Sequence, residues 1–175
     1  MSIRSKNPTD ATPKHASPGD SRRRGDPATA GFKLADSPLY RIVRTAGRYT
    51  IDMENALKAS GIDLLSWRAL MIVDEARLSS VSSIAERSVT RLSTMTRVVQ
   101  RLEKKQYVKL SRGKLDARIT EVELTARGKT ALESVRGVAS HIYKVALDRF
   151  SAAEIVTLNS MMQRIFSNLA AEIEE

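Results

Sequence analysis

A mostly α-helical fold carrying one small β-hairpin is predicted by three features of the chain. Apolar residues recur at three- and four-residue steps over several stretches between residues 38 and 173. Between about residues 107 and 124 the period shortens to two, the mark of half-buried strands. The basic side chains bunch in and just before that short-period segment instead of spreading along the chain.

The first 36 residues stand apart. All five prolines lie at or before residue 38, mixed in residues 1–36 with Ser, Thr, Asp, Gly and the Arg22-Arg23-Arg24 run. Almost no large apolar side chain accompanies them, so this stretch cannot bury enough surface to offset its ordering entropy. It is expected to be a disordered basic tail with a solvated arginine run, leaving residues 37–175 as the domain.

Pro38 suits an early helical position because its missing N–H needs no partner there. Leu39, Ile42, Val43, Ala46, Tyr49, Met53 and Leu57 then share one face, which predicts a helix over about 38–60 that Gly61 stops. A second helix, about 64–77, follows Asp63 as N-cap and buries Leu65, Ala69, Leu70, Ile72 and Val73. A short helix at about 81–87, a turn, and a helix at about 91–105 behind Thr90 as cap make a helix-turn-helix, with Met95, Val98, Val99 and Leu102 turned inward. Tyr107–Leu110 and Ile119–Leu124 alternate apolar and polar residues around a polar link with Gly113, giving a hairpin that acts as a wing. Two long helices close the chain, one capped by Thr125 and one opened by the capping box Ser151-Ala152-Ala153-Glu154. The winged helix-turn-helix is therefore expected over about 64–125, flanked by helices at 38–60 and 126–173 that need a partner surface.

Several function classes drop out. The chain has 175 residues, no cysteine and a formal net charge of +9, which fits one domain and excludes disulfides, zinc–thiolate sites and thiol switches. His15 and His141 are too few and too far apart for a metal cluster, and no cofactor is expected. Without a membrane-length apolar run or a secretory leader, the chain is expected in the cytoplasm, nucleoid-associated through DNA. Neither a nucleophile–base pairing nor a glycine-rich phosphate loop is present, so no enzyme is expected.

Residues 87–118 contain ten basic side chains (Arg87, Arg91, Arg97, Arg101, Lys104, Lys105, Lys109, Arg112, Lys114, Arg118) against Glu103 and Asp116. This local excess is nearly the whole net charge and reads as a phosphate footprint. Arg91, Ser93, Thr94, Arg97, Gln100 and Arg101 fall on faces of their helix other than the apolar one, and such side chains can bond base edges or phosphates. A membrane helix would instead expose bulky apolar residues opposite its lysines. Duplex DNA is the partner expected; a non-specific architectural DNA- or RNA-binding protein is the alternative.

Ile84-Ala85-Glu86-Arg87, the run from Leu92 to Lys105, Asp116-Ala117-Arg118 and Val122-Glu123-Leu124-Thr125-Ala126-Arg127-Gly128 occur in this order and spacing. With them the chain resembles the MarR family of bacterial transcription regulators over about residues 37–172. The resemblance implies that Ser93, Thr94, Thr96, Arg97 and Arg101 enter a major groove and that Arg118 enters a minor groove, oriented by Asp116. It also implies a homodimer on a pseudo-palindrome, acting as a repressor released by a small aromatic or phenolic carboxylate. Tyr40, Arg44, Arg48, Trp67 and Arg68, with Tyr49, are the candidate ligand residues. The chain departs from the family pattern at Leu110, where an arginine is frequent, at Gln106, where glycine is usual, and at Arg91, where a small capping residue is common. Arg112 or Lys114 is expected to replace the missing wing cation.

Overall fold

The structure, a computed structural model, describes residues 23–113, 116 and 118–171; the expectations placed on residues 1–22 and on Lys114 lie outside it. The chain divides into two units that meet between Tyr49 and Thr50.

In the first unit, residues 23–36 depart from the disordered tail expected of them. The Thr29 hydroxyl donates to the carbonyls of Arg23 and Asp26, and the Lys33 N–H donates to the Arg24 carbonyl at 2.9 Å. A 3₁₀ turn follows at Leu34–Asp36. The short polar side chains that suggested a tail are the ones that close turns without apolar burial. Helix α1, Pro38–Leu57, begins in this unit and exposes Leu39 and Val43 there.

In the second unit α1 ends in a 3₁₀ turn, Lys58–Ser60, and Gly61 at φ 65° takes the left-handed stop expected of it. Asp63 caps α2 (Leu64–Ala76), its Oδ1 accepting the Ser66 N–H at 2.8 Å. Leu64, Ala69, Leu70 and Val73 are buried, while Leu65 and Ile72, expected inside, are half-buried. There follow β1 (Leu78–Ser80), α3 (Val81–Arg87), α4 (Leu92–Lys104), β2 (Val108–Arg112), β3 (Thr120–Leu124), α5 (Ala126–Ala146) and α6 (Ala152–Ala171). The expected hairpin is in fact a three-stranded antiparallel sheet of order β1-β3-β2. β1 pairs Ser79 with Val122, and β2 pairs Leu110 with Val122 and Val108 with Leu124. Met53, Leu57, Leu70, Ile84, Met95, Leu102, Val122 and Leu132 lose essentially all exposure, so the helix-turn-helix, the wing base and α5 share one core.

Two backbone details fix the junction between α4, β2 and α5. Gln106 sits at φ 59°, with its N–H on the Glu103 carbonyl (2.7 Å) and the Tyr107 N–H on the Leu102 carbonyl (2.9 Å). That is the Schellman ending of a helix, built on a residue that strains at the left-handed position where glycine does not. The glycine usual at this position in the family therefore has a physical reason. Thr125 caps α5 as expected, its hydroxyl oxygen accepting the Gly128 N–H at 3.0 Å while the hydroxyl donates to the Gln106 carbonyl at 2.6 Å. A Cβ at Gly128 would fall on the Tyr107 carbonyl.

The capping box of α6 is formed: the Glu154 N–H donates to Ser151 Oγ at 3.3 Å, and the Ser151 N–H and hydroxyl donate to Glu154 at 2.8 and 2.7 Å. The Ser151 hydroxyl and then its N–H hold the Glu154 carboxyl below the usual carboxylate range. None of the residues of α6 is buried, and Val156, Met161, Met162, Phe166 and Leu169 are exposed. Tyr143 and Val145 in the second half of α5 are exposed too. Among the described residues no helix is long and apolar enough to cross a membrane.

Candidate DNA interface

α3 is positioned by Ser80, whose Oγ accepts the Ser83 N–H at 3.1 Å. It ends in another Schellman arrangement, with Val89 N–H on the Glu86 carbonyl and Thr90 N–H on the Ala85 carbonyl, each at 2.9 Å. Val89 holds the left-handed position, φ 51°, although it is β-branched and 74% exposed. Such a conformation is an outlier for this residue type, and here it sets the angle at which α4 leaves the turn. Thr90 is not the cap of α4: its hydroxyl donates to the Ser88 carbonyl at 3.2 Å, and Arg91 is the N-cap without a side-chain bond. The first N–H groups of α4 thus keep their partial positive charge next to the Arg91 side chain.

Met95, Val98, Val99 and Leu102 anchor α4 in the core, as expected. The opposite side presents Arg91, Leu92, Ser93, Thr94, Arg97, Gln100 and Arg101 as exposed residues. Thr96 is half-buried, and its hydroxyl donates to the Leu92 carbonyl at 2.8 Å, so its donor is committed to the helix backbone and not to a base.

Eight of the ten basic side chains of residues 87–118 separate into two groups. Arg87 is paired with Glu75 at 2.6 Å, and Lys109 with Glu123 at 2.8 Å across the sheet. Arg101 donates to Asp63 Oδ2 at 2.6 Å and to Ser66 Oγ at 3.1 Å, and Lys105 donates to the Gly61 carbonyl at 2.7 Å. These four tie α4, its neighbours and β2 to the scaffold, and Arg101, expected to face DNA, fastens α4 to the start of α2 instead. Arg91, Arg97, Arg112 and Arg118 have no ion-pair partner among the described residues. Desolvating them against phosphate or base edges breaks no internal bond, whereas Arg101 would have to leave a carboxylate.

At the wing tip, Gly113 donates its N–H to the Ile119 carbonyl at 2.8 Å and Ile119 donates to the Asp116 carbonyl at 3.0 Å. Asp116 was expected to hold the Arg118 guanidinium; its Oδ1 instead accepts the Arg118 backbone N–H at 2.9 Å. The aspartate shapes the turn that carries the arginine and leaves the guanidinium unpaired. Between α4 and the wing lies an open cleft of about 350 Å³ lined by Ser80, Leu92, Thr96, Gln100, Leu110, Arg118 and Thr120 among others.

The ligand candidates fall on both units. Tyr40 is half-buried and Arg44 and Arg48 are exposed on α1 in the first; Trp67 and Arg68 are half-buried on α2 in the second. Trp67 Nε1 is buried without a hydrogen-bond partner.

Sequence reasoning missed β1, which is too short to show a period, and the pairing of Arg101 with Asp63. It also missed Leu92, whose exposure only the packed helix reveals. The exposed side of α4 carries a warning signal nonetheless: Leu92 is its one large apolar residue.

The family model described as the MarR family matches residues 62–120, from the α2 cap to the start of β3. A curated relative, the HTH-type transcriptional repressor IacR of Pseudomonas putida, is 33% identical over 160 residues, 89% of this chain and 96% of its own. Mutant MarR from E. coli, solved in complex with operator DNA, superimposes with a TM-score of 0.63 at 20% identity, covering 73% of this chain and 93% of that one. BpsR of Bordetella bronchiseptica, solved to explain how 6-hydroxynicotinic acid regulates its DNA binding, gives 0.64 at 17% identity over 72% of this chain and 96% of that one. A match across the helix-turn-helix and the first strand of the wing, together with a repressor relative that spans nearly the whole chain, establishes the identity: this chain belongs to the MarR family of DNA-binding transcriptional regulators.

Proposed function

We propose that the protein is a homodimeric repressor that grips a pseudo-palindromic operator and releases it when a small aromatic or phenolic carboxylate binds. The observation that carries this reading is the set of four arginines without an ion-pair partner among the described residues, Arg91 and Arg97 on α4 and Arg112 and Arg118 on the wing, together with the exposed Ser93, Thr94 and Gln100 of α4. Such a surface offers phosphate-positioning charges around groups able to read base edges.

The dimer reading is supported by surface that one chain leaves uncovered. The exposed apolar side chains of α6 and of the second half of α5 suit a second copy better than water. A two-fold pair of recognition helices about 34 Å apart reaches two successive major grooves. The IacR relative carries the name of a repressor, which supports repression as the outcome. Selection from a pool of random duplexes is expected to return an inverted repeat with half-sites about 10 base pairs apart, centre to centre. A single unrepeated half-site would contradict the dimeric reading, and no preferred sequence would favour an architectural binder.

Two observations support the ligand. BpsR is regulated by a hydroxylated aromatic acid. In this chain the buried Trp67 N–H lacks an acceptor, an arrangement that costs about 1–3 kcal/mol unless something fills it. Trp67 is the sole tryptophan of the chain, so its fluorescence reports directly on occupancy. Titration with hydroxylated benzoates and nicotinates is expected to quench it and weaken operator binding together. A panel in which no compound does both would overturn the ligand reading. The regulator is expected to work in the cytoplasm.

A further inference from the structure

Leu92 is the first residue of α4 and stays 54% exposed, although it lies one helical turn before the buried Met95 and the half-buried Thr96. The fold does not use it: the core side of α4 is complete with Met95, Val98, Val99 and Leu102. Its neighbours on the exposed side, Ser93, Thr94, Arg97 and Gln100, are all polar. Directly beneath it in the helix, Thr96 has its hydroxyl donor bonded to the Leu92 carbonyl at 2.8 Å. Leu92 and Thr96 themselves therefore offer no free donor, in the cleft between α4 and the wing where Gln100 and Arg118 supply polar groups.

An exposed leucine alone is ordinary. This one stands at the N-terminal end of the recognition helix, the end that contacts base edges when such a helix docks, next to Arg91 in sequence and in the same cleft as Arg118, whose charges draw in the duplex. Among the four bases only thymine shows an apolar group in the major groove, its C5 methyl. We propose that Leu92 is a specificity-determining residue that reads a thymine methyl, so that one position of each half-site is selected for thymine by apolar contact and not by a hydrogen bond. This rests on the operator reading given above.

Deoxyuridine is the direct probe, because it removes the methyl and leaves the pairing edge unchanged. A duplex selected by the full-length protein is remade with deoxyuridine at each thymine in turn, and affinities are measured for the wild type and for Leu92→Ala. For the wild type, one thymine per half-site is expected to lose about fourfold on demethylation, the effect of removing one buried methyl-sized group. Leu92→Ala is expected to bind the thymine duplex about fourfold or more weakly and to bind thymine and deoxyuridine at that position equally. Two results would overturn the inference alone: a wild type indifferent to every deoxyuridine, or an alanine variant that keeps the full loss. A pool that yields no preferred sequence would overturn the operator reading and this inference with it.

Discussion

Gly128→Ala is expected to lower the stability of the protein by on the order of 3 kcal/mol, the upper range for an overpacked site. In a domain of this size that is roughly 6–12 °C of melting temperature. The added methyl would meet a backbone carbonyl, that of Tyr107, and not the movable end of a side chain. That carbonyl is itself engaged, accepting the Thr125 N–H at 3.1 Å and the Thr125 hydroxyl at 3.3 Å. It also sits where α4 turns into β2, immediately after the strained Gln106. Relief would have to come from moving α5 away from the base of the wing, so operator binding should fall along with the melting temperature. A thermal melt within about 1 °C of the wild type would show that the junction yields more easily than its geometry implies.

Removing the unpaired arginines is expected to have the second largest effect, now on binding and not on stability. Arg97→Ala should weaken operator binding by about 1–3 kcal/mol for each base that the guanidinium reads, roughly 5- to 150-fold. The preference at one base pair should relax at the same time. Arg118→Ala should cost a comparable factor but through groove shape and charge: the salt dependence should flatten by about one counterion per subunit. Neither side chain has a partner to lose within the described residues, so both variants should melt like the wild type. Arg101→Ala makes the contrast, since it breaks the bridge to Asp63 and Ser66 and should change the seating of α4 on α2. Titrations across salt concentration, paired with melts, separate these outcomes.

What can be read in the sequence depends on the distance over which each interaction acts. The caps at Asp63, Thr125 and Ser151 are legible because each lies three residues from the N–H it accepts. Five of the six main helices are legible from apolar spacing, and the inward side of α4 is placed residue for residue. β1 is not: Leu78, Ser79 and Ser80 become a strand only because β3 supplies their hydrogen bonds from more than forty residues away. The sign of Arg101 is legible, but its partner stands 38 residues back, so its charge alone points to DNA where the folded chain makes a structural clamp. Asp116 departs from expectation for the opposite reason. The carboxylate has a closer acceptor role, on the Arg118 backbone two residues on, than the guanidinium pairing the resemblance implied. Periodicity along α6 announces an apolar side in need of a partner surface, and the packed chain leaves that side uncovered.

Whether this surface reads sequence or merely holds polyanions is decided by one ratio: the affinity of the full-length protein for its selected duplex over that for a scrambled duplex of equal length, at physiological salt. A specific regulator is expected to favour the selected duplex by about 10³ or more. A ratio near one, with both affinities falling in parallel as salt rises, would contradict the account.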